Sequence, residues 1–161
     1  VDSQTLGELI DEYAQPLELY ARQWSDDAAD LVQTAFLKLL EEPTFPSNVK
    51  PWLYRVVRNL AFSSLRSTVR RRNREMRHFE QSENWFEHGV DSELDGEKAT
   101  TVLLELDSRT REVIVAHLWG TLTFEEIAEL THSSSSTVHR RYQNGIQQLR
   151  KKLGLSCPTT E

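Results

Sequence analysis

The sequence predicts an all-α protein made of two small helical domains joined by an acidic linker. Three observations predict it. Apolar residues recur three and four positions apart over most of the chain, and the alternation that marks strands is weak. Clusters of Pro, Ser, Asn and Gly punctuate that periodicity into helix-length pieces. An aperiodic acidic stretch over 78–98 then separates two periodic halves. The 161 residues hold one ordinary domain or two small ones. The expected boundaries are 1–77, 78–98 as linker, 99–155, and a tail of 156–161.

Residues 6–24 place Leu6, Leu9, Ile10, Tyr13, Leu17, Tyr20 and Trp24 on one stripe. Pro16 is expected to kink or split that helix. Asp26 and Asp27 open a second helix, where acids suit the positive end of the dipole, and it stops at Pro43. Residues 43–48 (PTFPSN) read as a rigid loop. Pro51 fits the first turn of a third helix running to about Arg77. The linker has room for a short helix around Trp85 and Phe86.

Asp107 or Ser108 caps the next helix, with Gly120 as its stop. Thr123 and Glu126 have capping-box spacing and start a short helix to about Leu130. Residues 131–133 form a turn, and a long helix follows from about Ser135 to Leu153.

Composition excludes several function classes. No apolar run approaches the roughly 20 residues that span a bilayer. The acidic, amphipathic N-terminal stretch is unlike a signal peptide, so a cytoplasmic, non-membrane protein is expected. The lone Cys157 makes no internal disulfide, and the five histidines are scattered. No metal and no cofactor are expected. No phosphate loop, nucleophile motif or paired carboxylates appear, so the chain does not read as an enzyme.

The net charge of −6 conceals a block pattern. Residues 1–49 hold ten acids against two bases, whereas residues 50–77 hold nine bases against Glu75 alone. A local basic field of that kind decides phosphate binding whatever the average charge.

Three constellations carry function. On the third helix, Leu53, Val56, Val57, Leu60, Ala61 and Ser64 share a core face. The opposite face carries Arg55, Arg58, Asn59, Phe62, Arg66 and Val69, with a basic run from Arg70 to Arg74 beyond it. Guanidinium groups neutralise phosphate and a ring stacks on unpaired bases, so the face suits opened DNA. The competing reading makes Phe62 a second core contact and the arginines a solvated surface.

On the second helix, Leu31, Val32, Ala35, Phe36, Leu39 and Leu40 form a wide apolar face. Leu37 stands nearly opposite among Asp30, Gln33 and Glu41. That is either a stray surface leucine or the anchor of a protein contact.

The helices from Phe124 to Leu153 form a helix-turn-helix. Val138, Tyr142, Ile146, Leu149 and Leu153 face inward, and Ser136, Arg140, Gln143, Asn144 and Gln147 outward. Arg, Asn and Gln are the side chains that read base edges in the major groove. An ordinary helical hairpin is the alternative.

The order of these parts resembles the extracytoplasmic-function (ECF) sigma factor family. Residues 27–40 (DAADLVQTAFLKLL) resemble the family's helix for the polymerase's largest subunit. Residues 51–61 (PWLYRVVRNLA), with Leu65 and Arg66, resemble its helix for the −10 promoter element. Leu106, residues 111–115, 122–130 (LTFEEIAEL), 136–141 (STVHRR) and 149–153 (LRKKL) resemble its −35 reading region. The chain departs from the family at 131–136 (THSSSS), where the turn holds no glycine.

The resemblance implies a sigma region 2-like bundle and a region 4-like helix-turn-helix. It implies core polymerase contacts at Asp30, Gln33, Leu37 and Glu41. It implies −10 contacts at Ser47, Asn48, Arg55, Arg58, Asn59, Phe62, Arg66 and Arg70. It implies −35 contacts at Ser135, Ser136, Thr137, His139, Arg140, Arg141, Gln143 and Asn144. The partners it implies are bacterial core RNA polymerase, promoter DNA, and an anti-sigma factor or another regulator. It also implies that the acidic linker, with Glu93, Asp95 and Glu97, threads the polymerase's RNA path.

Two rivals make different predictions. A stand-alone helix-turn-helix regulator binds duplex DNA without polymerase and has no use for the face of residues 55–66. A helical adaptor whose basic block meets an acidic protein shows no salt-dependent DNA binding at all.

Overall fold

The computed structural model describes residues 2–75 and 100–154, with backbone only for 68–75. Among these residues every regular element is helical. Contacts divide the chain into two compact units, one holding the described residues up to 75 and the other those from 100 onward.

The first unit is a bundle of α1 (Ser3–Ala21), α2 (Ala28–Glu41) and α3 (Val49–Glu75), each packed against the other two. The Asp2 side chain caps α1 by accepting from the Thr5 backbone N–H at 2.8 Å. Of the expected kink or split at Pro16, the split does not occur: the helix runs through it. Proline in a helix interior costs about 3 kcal/mol through its missing donor. The fully buried Leu17 and Tyr20 follow directly, and burying a large apolar side chain returns about 1.5–3 kcal/mol, so packing offsets the loss.

The helix does end earlier than its apolar stripe. The backbone N–H groups of Trp24 and Ser25 both turn onto the Ala21 carbonyl, at 3.0 and 3.2 Å. Trp24 therefore leaves the helix and lies edge-on to Tyr20.

α3 begins two residues before Pro51, so the proline sits in the first turn, where backbone donors have no intrahelical partner. The core of the unit is Leu17, Tyr20, Ala21, Ala28, Val32, Ala35, Phe36, Leu39, Leu53, Tyr54, Val57 and Ala61. Tyr54, outside the expected core face, is fully buried because α3 packs on two helices and so buries a wider arc. That burial, with Tyr13 nearby, pushes the Tyr54 hydroxyl pKa up.

The second unit contains a helical turn at 100–104, then α4 (Ser108–Leu118), α5 (Phe124–Thr131) and α6 (Ser135–Leu153). Local chemistry fixes the helix ends. Asp107 accepts from the Thr110 N–H at 3.0 Å. A hydrogen bond from the Thr110 side chain, joined by the backbone bonds and the charge of Arg141, holds its carboxyl below the ordinary range.

Thr123 and Glu126 form the expected capping box, at 3.1 Å and 2.9 Å. Ser134 caps α6 by accepting from the Thr137 N–H at 3.2 Å.

α4 stops at Leu118 rather than Gly120. Trp119 and Gly120 both donate to the Val115 carbonyl, at 3.1 and 3.2 Å, and the left-handed residue is Thr121 with φ 51°. Val102, Leu103, Leu106, Val113, Ile114, Leu122, Ile127, Leu130 and Val138 form this unit's core. The expected helix at Trp85 and Phe86 lies outside the described residues.

Candidate nucleic-acid interface

On α2, Asp30, Gln33, Leu37 and Glu41 are all exposed, and Leu37 keeps 54 % of its surface in solvent. Leu40, expected in the apolar face, is 46 % exposed instead. α1 and α3 cover the arc of Ala28, Val32, Ala35, Phe36 and Leu39, and Leu40 lies past its edge. Leu37 and Leu40 are three residues apart and therefore neighbours on the helix surface. The sequence signal for Leu37 extends to Leu40 only once the edge of the core is known.

The loop between α2 and α3 exposes Phe45, Ser47 and Asn48. Beside it, a groove of about 540 Å³ is lined by Lys38, Glu41, Glu42, Pro43, Trp52, Val56, Asn59 and Leu60. The candidate polymerase-binding face and the candidate −10 face thus meet along one depression, with Glu41 on one wall and Asn59 on the other.

On α3, Arg55, Asn59 and Arg66 are exposed, while Arg58 and Phe62 are half-buried. The Arg58 guanidinium lies 4.5 Å from the centre of the Phe62 ring. Trp24 meets the same ring edge-on at 5.1 Å. Phe62 therefore touches the bundle and also keeps a surface face. Sequence reasoning missed Trp24, because a tryptophan at the end of an apolar stripe reads as core. The Arg70 side chain, and the basic run after it, lie outside the described residues.

On α6, Ser136, His139, Arg140, Gln143 and Asn144 are exposed. Spacings of three and four residues align them in a stripe along one helix face. Three candidates are instead occupied inside the motif. Ser135 Oγ donates to Glu125 Oε1 at 3.3 Å. Thr137 Oγ1 lies 2.8 Å from Ser134 Oγ. Arg141 Nη1 donates to Ser133 Oγ at 3.3 Å.

The turn works without glycine because His132 adopts the left-handed conformation, φ 52° and ψ 44°. That lets the Ser133 N–H reach back to the Ala128 carbonyl at 2.9 Å. His117 stacks on Phe124 at 4.4 Å and meets Tyr142 edge-on at 4.8 Å, pinning α4, α5 and α6 together beneath the stripe.

Among the described residues no cluster of His, Cys, Asp and Glu gathers for a metal ion. No helix among them is long and apolar enough to cross a membrane.

Comparison with known proteins identifies both halves of the chain. Residues 9–71 match the family described as Sigma-70 region 2, and residues 97–149 that described as Sigma-70, region 4. The chain is 30% identical over 132 residues to the RNA polymerase sigma factor SigV of Bacillus subtilis (strain 168), covering 80% of this chain and 76% of that protein. Its fold is similar to the sigma factor RpoE, solved in complex with the anti-sigma factor NepR from Bartonella quintana. That match has a TM-score of 0.77 at 22% identity and covers 97% of this chain and 100% of the other. It is also similar to CnrH, solved with the cytosolic domain of CnrY, with a TM-score of 0.64 at 20% identity over 97% and 92% of the two chains.

Proposed function

The chain belongs to the ECF sigma factors of bacterial RNA polymerase, and from that membership we propose how its residues divide the work. As a member of the family it binds core polymerase and directs promoter-specific initiation. Residues 1–77 act as the region 2-like domain and residues 99–155 as the region 4-like one, with 78–98 as the linker between them. Asp30, Gln33, Leu37 and Glu41 contact core polymerase, with Leu37 as the apolar anchor.

Ser47 and Asn48 on the loop, with Arg55, Arg58, Asn59, Phe62, Arg66 and Arg70, engage the −10 element and help open it. Ser136, His139, Arg140, Gln143 and Asn144 read the −35 element in the major groove. Ser135, Thr137 and Arg141 support that helix from within the motif, and Ser135 and Thr137 lie in its first turn, where a phosphate contact is in reach.

The observation that carries this reading is the exposed stripe on α2 and the Arg55–Asn59–Arg66 face on α3 within one bundle. A duplex-only regulator needs neither. The protein performs no chemistry of its own: phosphodiester formation belongs to the polymerase. It works in the cytoplasm, at the nucleoid when bound to polymerase. The anti-sigma proteins named with its structural neighbours support a regulator of that class as a further partner.

Transcription with purified bacterial core polymerase on a library of double-stranded templates tests the reading. RNA starting at defined sites only when the protein is added is the expected result. Leu37→Asp should abolish it and Arg66→Ala should reduce it. Binding to duplex DNA without co-elution with core, and with no new transcripts, would put a stand-alone regulator in its place.

A further inference from the structure

Four aromatic rings form a continuous column through the first unit. Tyr54 meets Tyr20 at 4.9 Å, Tyr20 meets Trp24 at 5.0 Å, and Trp24 meets Phe62 at 5.1 Å. The inner two rings are fully buried, whereas Trp24 and Phe62 reach the surface. The Arg58 guanidinium closes the outer end over the Phe62 ring. Exposed Arg55, Asn59 and Arg66 share that helix face.

We propose that Trp24 is a positioning residue for strand opening, and that Arg58 holds the place on Phe62 that an unpaired base takes when DNA opens. The inference rests on the reading of α3 as the −10 helix.

The physical argument has two parts. A planar guanidinium over a ring occupies the volume, and uses the π-face, that a stacked base requires. Base stacking on an aromatic is at least comparable to a cation–π contact, and the displaced guanidinium gains a phosphate, so an arriving base can take its place on the ring. The freed Arg58 keeps its charge and moves to the phosphate beside that base.

The second part concerns rigidity. A ring that captures a flipped base must not swing with it, and preorganised contacts reduce the entropy lost on binding. Trp24, anchored edge-on to a fully buried tyrosine, braces the Phe62 ring that Arg58 also meets. Its place in the turn after α1, outside any helix, means that this brace comes from a distant part of the chain.

The test uses full-length protein with core polymerase on two templates, a duplex promoter and the same promoter with its −10 region already unpaired. On the duplex, Trp24→Leu should lower transcription about tenfold, a change of one factor of ten in the opening step. On the unpaired template, where the opening step is already supplied, the loss should be clearly smaller, and Trp24→Phe should restore the duplex signal. Equal loss on both templates would make Trp24 a folding residue and overturn the proposal. Normal duplex transcription by Trp24→Leu beside impaired Phe62→Leu would overturn it while leaving the −10 reading intact. Normal transcription by Phe62→Leu as well would remove the −10 role of this face altogether.

For Arg58, holoenzyme binding to a single-stranded −10 oligonucleotide is measured against salt. Arg58→Ala should lower the slope by about 0.7, the share of one phosphate contact on a single strand. An unchanged slope would mean that the guanidinium stays on the ring, which overturns its role as a placeholder.

Discussion

Gly145 on α6 lies against Ile114 on α4 so closely that a Cβ at the glycine would stand 2.4 Å from Ile114 Cδ1. Thr110 Cγ2 would lie at 2.7 Å. A mid-helix glycine costs about 1 kcal/mol relative to alanine, and here the cost allows two helix backbones to approach. Gly145→Val should destabilise the second unit by about 2 kcal/mol through overpacking. Thermal unfolding measures it, and −35 duplex binding should fall in parallel while co-elution with core polymerase persists.

The left-handed His132 makes the opposite prediction. A non-glycine residue in that conformation costs about 1–2 kcal/mol, and no bulky packing holds this exposed side chain in place. His132→Gly should raise the stability of the second unit by about 0.5–1 kcal/mol once the greater freedom of glycine in the unfolded chain is counted. A melting curve that moves down would show that the imidazole itself secures the turn.

Acid stability should depend on Asp107. Its pKa is lowered in the folded state, first by the Thr110 side-chain hydrogen bond. A depressed carboxylate contributes stability that is present above its unfolded pKa, 3.8, and is lost as pH falls through the lower folded value. Asp107→Asn keeps a capping acceptor but cannot titrate. It should therefore lower the melting temperature at neutral pH, where the carboxylate's contribution is fully present, and flatten the decline below pH 3.8 relative to wild type.

The neighbouring arginines of α6 should separate cleanly. Arg140 is exposed, whereas Arg141 donates to Ser133 in the turn. Arg140→Ala should weaken −35 binding without moving the melting temperature, and, if it meets a phosphate, should reduce the salt slope by about 0.9. Arg141→Ala should lower the melting temperature as well, since it releases the turn. Identical melting curves for the two variants would contradict this division.

Much of the second unit was legible in the sequence because its helix ends depend on neighbours two or three residues away. The Thr123–Glu126 box and the start of α6 follow from side-chain chemistry with no knowledge of packing. The misplaced features depend on distant partners. Pro16 stays within α1 because Leu17 and Tyr20 are buried by other helices. Leu40 is exposed because a helical wheel gives the direction of an apolar face but not its width. The reason for a glycine at 145 is Ile114 on another helix, packed against it. Trp24 marks the same limit in the site: the residues on α3 could be named from their spacing, but the ring that braces Phe62 comes from another segment.

The separation into two units has a consequence for synthesis on the ribosome. Among the described residues, α1, α2 and α3 supply the core of the first unit, and the last of its buried side chains is Ala61. The second unit must wait for α6, since Val138 and Gly145 close its interior. At about 5–20 residues per second of translation, the face assigned to polymerase is finished several seconds before the face assigned to −35 DNA. A partner that recognises the first unit alone can therefore seize the nascent chain before it is able to read a promoter.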